Sequence, residues 1–264
     1  MTLIRLKFLS ASAFFGVLVS CKPAPEQKAL DDGLCQITEV QTPIPVGGAL
    51  MRPICDGVYA EPGLAEVQHV ELKKFYKTAR RNVASAFVTV RGAPPLTFFC
   101  LSASCKEHFG APRAAAASDD LGFTRDGVQA EKMFIERPAV FVTGPVAGTA
   151  RILTHEFVHA EMKAYVPYDA LPTWFNEGLA TMLANEPSCD AYPPSSSSFD
   201  VRRLTTKSAW QDHILNGATR ETYCQARHVV SAWAEPFGDA AGVAVALQTV
   251  MNTVANGGAF DLGG

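Results

Sequence analysis

The chain has 264 residues, of which 48% are hydrophobic and 19% are charged, so it can bury one good core or two small lobes. Its formal net charge is −3, and loss of Arg5 and Lys7 with a cleaved leader would make it more negative. Because an acidic chain is repelled by phosphate backbones, we expect no nucleic-acid partner.

The first twenty residues have the pattern of a secretion signal, since Arg5 and Lys7 precede an almost continuous apolar run over 8–19. That run is too short for a membrane span, and no later stretch reaches about 18 uninterrupted apolar residues. The signal ends in the letters LVSC, which resemble a bacterial lipobox and imply acylation of Cys21. The alternative is an ordinary signal peptide with a chance cysteine. Residues 21–33 then suit a flexible tether to the membrane.

The remaining cysteines also indicate an oxidising compartment, because their number is even. We therefore expect the bacterial cell envelope, with the lipid-anchored chain facing the periplasm or the exterior. Six cysteines allow 15 connectivities, and the simplest joins sequential neighbours; buried free thiols are the alternative. The predicted pairs are Cys35 with Cys55, Cys100 with Cys105, and Cys189 with Cys224.

Residues 34–147 read as an α+β lobe. Residues 66–87 have the apolar spacing of a helix, and β-rich apolar runs follow at 96–101 and 139–143. Two low-complexity patches, at 114–117 and 195–198, are predicted to be surface loops.

From residue 148 to 264 the pattern is helical, and we predict helices at 148–165, 173–185, 219–234 and 239–256. The fold class is therefore α+β, with a small mixed sheet followed by a mainly helical part. We expect the two parts to form a single catalytic domain.

The segment HEFVH begins the chemical part of the sequence. In a helix, His155 and His159 lie one turn apart on the same face, so both imidazoles can reach one metal ion. Glu156 lies beside the first ligand, where its carboxylate can polarise a water without binding the metal. The motif predicts a metal-dependent hydrolytic site.

A second segment, PTWFNEGLA, places Glu177 near the start of the next predicted helix. Pro167 and Pro172 force a turn between the two helices, so the chain can return Glu177 toward the two histidines. Gly178 and Ala180 remove side-chain bulk and allow a close approach. Two imidazoles and one carboxylate leave a fourth position open, which suits one Zn²⁺ ion, although such a set can also hold non-haem iron.

The combination of HEFVH and WFNEGLA resembles the gluzincin metallopeptidases, in particular their small, minimal branch, over about residues 135–185. The resemblance implies a zincin-like fold, with His155, His159 and Glu177 as zinc ligands and Glu156 as general base. It also implies that residues 139–143 form the edge strand that aligns a peptide substrate.

Two further roles come from the same resemblance. Gluzincins often supply a Tyr or His from a later helix to stabilise the transition state, and Tyr223 and His228 are the candidates here. Relatives of the thermolysin type carry an Asp four residues after the ligand glutamate, where it orients the first histidine. This chain has Thr181, and we expect its hydroxyl or a backbone carbonyl to take that part.

We therefore expect a zinc metallopeptidase whose partner is a peptide or protein of the envelope. A zinc amidase acting on peptidoglycan cross-links would share the mechanism. The alternative from another class is a non-catalytic envelope lipoprotein, in which a structural or vestigial zinc site serves partner binding. A fourth metal position that is filled by a protein side chain, or buried from solvent, would favour that alternative.

Overall fold

The computed structural model describes residues 35–36, 43–92, 94–108, 116–119, 139–143, 148–194 and 199–262. The predicted secretion signal, the predicted acylation site Cys21 and the predicted tether at 21–33 lie outside these residues, as does the predicted loop at 195–198. Residues 35–264 form one compact unit. None of the described helices is both long enough and apolar enough to cross a membrane.

The fold is α+β, as the sequence predicts, and its sheet has six strands in the order β1-β2-β3-β4-β6-β5. The bounds are β1 Ile44–Val46, β2 Ala49–Cys55, β3 Val58–Ala60, β4 Leu96–Cys100, β5 Ala116–Asp119 and β6 Ala139–Thr143. Strands β3, β4 and β6 run parallel, while β1, β2 and β5 add antiparallel pairs. Every residue of β4 is buried, as expected of a central parallel strand with both faces covered.

The edge of the sheet differs from the prediction. Strand β6 was expected at the edge, but β5 pairs antiparallel with its outer side, with Ala116 opposite Val142 and Asp119 opposite Ala139. The edge strand is therefore β5, and Ala116 and Ala117 belong to it instead of to the predicted surface loop. The alanine-rich composition disguised this strand because alanine has low β-propensity.

Five helices agree closely with the predicted ones, and two short helices, α2 and α5, were not predicted. Their bounds are α1 Glu66–Ala86, α2 Ala103–His108, α3 Thr149–Lys163, α4 Thr173–Leu183, α5 Lys207–His213, α6 Thr219–Ala234 and α7 Ala240–Ala255. Helix α1 packs on α3, where Tyr76 meets Phe157 edge to face at 5.6 Å between ring centroids. One hydrophobic core contains residues of the sheet, α1, α3, α4, α6 and α7. The helix that carries HEFVH thus lies between α1 and α4, with most of its side chains buried.

Three disulfides join the predicted pairs, Cys35 with Cys55, Cys100 with Cys105 and Cys189 with Cys224. The third one bears on the site, because it ties the short helical segment Pro187–Ala191 to α6. Both of its cysteines are buried.

Candidate metal centre

The structure brings the predicted ligands together. The Nε2 atom of His155 lies 3.2 Å from Oε2 of Glu177 and 3.0 Å from Nε2 of His159, and His159 Nε2 lies 3.4 Å from the same carboxylate oxygen. Among the described residues, this is the group of His, Cys, Asp and Glu side chains that can hold a metal ion. A buried His-His-Glu group capable of metal binding is therefore present.

The spacing of these donor atoms suits a bound metal ion. Ligands at about 2.0–2.1 Å around a tetrahedral ion are separated from one another by roughly 3.3 Å. The three distances here, 3.0, 3.2 and 3.4 Å, lie around that value. Three atoms that all carry lone pairs would repel one another at this separation without a proton or a cation between them.

His159 is held by a neighbour that the sequence reading missed. Its Nδ1 atom lies 2.8 Å from the side-chain oxygen of Asn176, and both residues are buried. Because an amide oxygen only accepts, Nδ1 carries a proton, and Nε2 is the nitrogen that faces the site and can present a lone pair to a metal ion. Asn176 thereby fixes the tautomer that a metal ligand needs. A buried amide that immediately precedes the ligand glutamate was the available signal, since buried polar groups require partners.

The hydrogen bond that the hydroxyl of Thr181 makes is a local one. Oγ1 of Thr181 donates to the carbonyl oxygen of Glu177 one turn earlier, at 2.7 Å. This bond is the usual local solution for a buried threonine in a helix. The histidine that the structure shows to be oriented by a neighbouring side chain is His159, and that neighbour is Asn176.

The charges of the group are coupled. Burial alone would raise the pKa of Glu177, but the charge of His159 and hydrogen bonds from both imidazoles outweigh it and hold that pKa well below its usual range. Burial would lower the pKa of His159, and the negative charge of Glu177 overrides this and raises it. The carboxylate is therefore ionised at neutral pH, as a metal ligand must be.

The helix contact that places Glu177 depends on the next residue. A Cβ atom built on Gly178 would lie 2.5 Å from the carbonyl oxygen of Ala226 in α6. Only glycine permits this approach. The sequence predicted that Gly178 would let the Glu177 helix approach the histidine helix, whereas the close contact at Gly178 is with α6. The same contact brings the ligand helix α4 against the helix that carries Tyr223.

An open cleft of about 530 Å³ begins at the metal group. His155 and Glu156 line it from α3, Tyr223 lines it from α6, and the disulfide cysteines Cys189 and Cys224 form part of its wall. The ring of Tyr223 lies 6.0 Å from that of His155 and packs edge to face on Trp210 at 5.0 Å. Burial, helped by the charge of Glu177, raises the pKa of Tyr223 far above its usual value, so the hydroxyl keeps its proton.

The other candidate, His228, is not brought to this cleft. Its Nε2 atom lies 2.7 Å from the carbonyl oxygen of Tyr192, and its side chain lines a separate cavity beside Phe199. The reason is helical geometry, because five residues along α6 turn the side chain about 140° away from the direction of Tyr223.

No protein-family profile, curated protein or solved structure matches this chain.

Proposed function

We propose that this chain is a zinc-dependent peptidase of the gluzincin type. The observation that carries the proposal is the convergence of His155, His159 and Glu177 at the end of an open cleft that Glu156 also lines. Two imidazoles, a carboxylate and an adjacent non-ligand carboxylate are the parts that zinc hydrolases use.

In this proposal the chain supplies three functions. His155, His159 and Glu177 hold the ion, and Asn176 keeps His159 in the correct tautomer. When bound, zinc lowers the pKa of a water toward about 7 and polarises the substrate carbonyl. Glu156 takes the proton of the attacking water and later delivers it to the leaving amine.

Tyr223 has the properties of a donor to the transition state. It keeps its hydroxyl proton because its pKa is raised, and Trp210 packs against its ring in the cleft wall. A fixed, protonated hydroxyl can donate a hydrogen bond to the negative charge that develops on the substrate carbonyl oxygen. The free energy of that bond is larger in a site shielded from water.

The open cleft favours this activity over a purely structural or vestigial zinc site. In such a site we expect four protein ligands, or burial from solvent. Here the described residues supply a group of three, and the side chain of His155 is 18% exposed and faces the cleft.

We further propose that the protein is located in the bacterial cell envelope. Three disulfides favour an oxidising compartment outside the cytoplasm. Acylation of Cys21 would anchor the chain to a membrane, and mass spectrometry of the intact lipid-modified peptide would test it.

The activity is tested by Glu156→Gln. This change preserves the size of the side chain but removes the base, so hydrolysis of a fluorescently labelled protein or peptide mixture should fall by about 10²- to 10⁴-fold while the zinc content stays the same. Glu71→Gln, an exposed position of α1, is the matched control and should retain full activity. Undiminished hydrolysis by Glu156→Gln, with zinc bound, would remove Glu156 from the mechanism.

A further inference from the structure

The cleft beside the metal group contains two guanidinium groups. Arg151 enters it from α3 and Arg220 enters it from α6. Both are accessible from solvent, since the side chain of Arg151 is 44% exposed and Arg220 is an exposed residue. The two longest cationic side chains of the cleft therefore come from different helices and line the same space.

Each arginine is in register with a residue of the proposed catalytic site. Arg151 precedes His155 by four residues and Arg220 precedes Tyr223 by three, so each lies on the same helix face one turn earlier. Four residues correspond to about 6 Å along the helix axis. An extended peptide advances roughly 3.3 Å per residue, so this distance is about two residues of a substrate that lies in the cleft.

The acidic partner in this part of the cleft is Glu186. Its Oε2 atom lies 3.6 Å from Nε of Arg151, and its Oε1 accepts the backbone N–H of Ser188 at 3.1 Å. The pKa of Glu186 is lowered, because its bonds to Ser188 and the charges of Arg151 and Arg220 outweigh the effect of burial. Glu186 thus lies near both guanidinium groups, and with Glu156 the cleft lining contains two cationic and two anionic side chains.

The position of Arg151 is prepared by the backbone. Gly148 is the N-cap residue of α3 and has φ 89°, a left-handed conformation that favours glycine. A Cβ atom there would come within 3.1 Å of Nη2 of Arg151. The glycine therefore leaves room for the guanidinium, while Glu186 faces its Nε side.

We propose that this end of the cleft, defined by Arg151 and Arg220, binds a carboxylate of the peptide substrate close to the scissile bond. The inference rests on the proposed function, because it names the substrate class of the same cleft. Guanidinium groups suit this task, since their planar N–H donors match the two oxygens of a carboxylate. Two donors that approach from different helices also fix the direction of the peptide.

The carboxylate can come from an Asp or Glu side chain or from the C-terminus of the peptide. Both sources offer the same two oxygens, but they imply different products. Recognition of a side chain allows cleavage inside a chain, whereas recognition of a terminus restricts cleavage to the last residues. The experiment must therefore vary the two sources separately.

The probes are decapeptides of Ala, Gly and Ser in which one Glu occupies each position in turn, with Gln counterparts, and with a free or an amidated C-terminus. Cleavage by the zinc-loaded wild type should be about tenfold faster in kcat/KM for a carboxylate at one defined position. In Arg151→Gln and in Arg220→Gln, the ratio of Glu to Gln peptides, or of free acid to amide, should fall toward one. Arg203→Gln, an exposed arginine outside the cleft, should keep the wild-type ratio.

Binding of the same peptides to zinc-loaded Glu156→Gln, followed by calorimetry, separates this inference from the peptidase proposal. Arg-dependent binding of carboxylate peptides that wild type does not cleave would support the subsite and overturn the peptidase. Cleavage of charged and neutral peptides at equal rates, unchanged in both arginine variants, would overturn the subsite and leave the peptidase intact.

Discussion

Two glutamates, one on α3 and one on α4, are both buried but differ in which groups hold them. Glu177 of α4 is 8% exposed and faces two imidazoles. Glu161 of α3 is 3% exposed and accepts the backbone N–H groups of Arg91, at 2.5 Å, and Gly92. The pKa of the first is held low by the neighbouring histidines, while burial raises that of the second.

The difference shows when a buried carboxylate indicates a functional site. The hydrogen-bond partners of Glu161 are peptide N–H groups, which tie the segment before β4 to α3. The partners of Glu177 are side chains that can themselves bind a cation, and one of them, His155, lines an open cleft. Burial alone does not separate the two cases, whereas the chemistry of the partners does.

Among residues outside the ligand group, the largest effect on metal binding is expected at Asn176, which holds one of the two imidazoles that face Glu177. Asn176→Ala removes the acceptor of the His159 Nδ1 proton, so zinc affinity should fall by about 10- to 100-fold. Thr181→Ala is the control, because the Thr181 hydroxyl donates to a backbone carbonyl, and its zinc affinity should stay within about threefold of wild type. Competition titrations with a zinc chelator measure both. Equal affinities in wild type and Asn176→Ala would show that Asn176 does not orient a ligand.

A substitution at Gly178 tests whether the position of Glu177 depends on the packing of α4 against α6. A methyl group at this position meets the backbone of Ala226, so Gly178→Ala should lower the free energy of unfolding by about 1–3 kcal/mol, despite the better helix propensity of alanine. Moving α4 away from α6 should also weaken zinc binding. Denaturant melts of the metal-free protein measure the first effect. A more stable Gly178→Ala protein would contradict the close contact.

Glu61 extends the comparison to a third buried carboxylate, held like Glu161 by the backbone. It accepts the N–H groups of Leu101 at 2.6 Å and Ser102 at 2.8 Å, and these bonds outweigh burial and lower its pKa. Since the folded-state pKa is depressed, the stabilisation is present above the ordinary value near 4.5 and is lost as the pH falls through the folded-state pKa.

Glu61→Gln should therefore destabilise the protein by roughly 1.5 kcal/mol at pH 7, and the difference from wild type should shrink as the pH falls below about 4.5. Urea melts across this pH range measure it. A difference that stays constant with pH would show that the charge of Glu61 is not responsible.

The ligand group was predictable from the sequence because its geometry is mostly local. The i, i+4 spacing of His155 and His159 fixes their common face, and the prolines before α4 set the turn that returns Glu177. The main helices were also predictable, from apolar periodicity. The disulfide pairing was predicted as the simplest one, which joins sequential cysteines.

The features that escaped prediction depend on contacts between distant segments. The edge position of β5 follows from its pairing with β6. Its alanine-rich sequence does not indicate a strand. The role of Asn176 depends on which side chain meets its amide across the contact between α3 and α4. Helical periodicity indicates that Tyr223 and His228 point in different directions, but which of them faces His155 depends on how α6 packs.

Zinc binding by a soluble form that begins at residue 22 tests the central claim most directly, with Glu177→Gln and Glu161→Gln compared in parallel. We expect about one zinc per chain in wild type and in Glu161→Gln. The affinity for zinc should be at least about a hundredfold lower in Glu177→Gln. Equal zinc binding by the two variants, or none by wild type after addition of zinc, would contradict a metal centre formed by His155, His159 and Glu177.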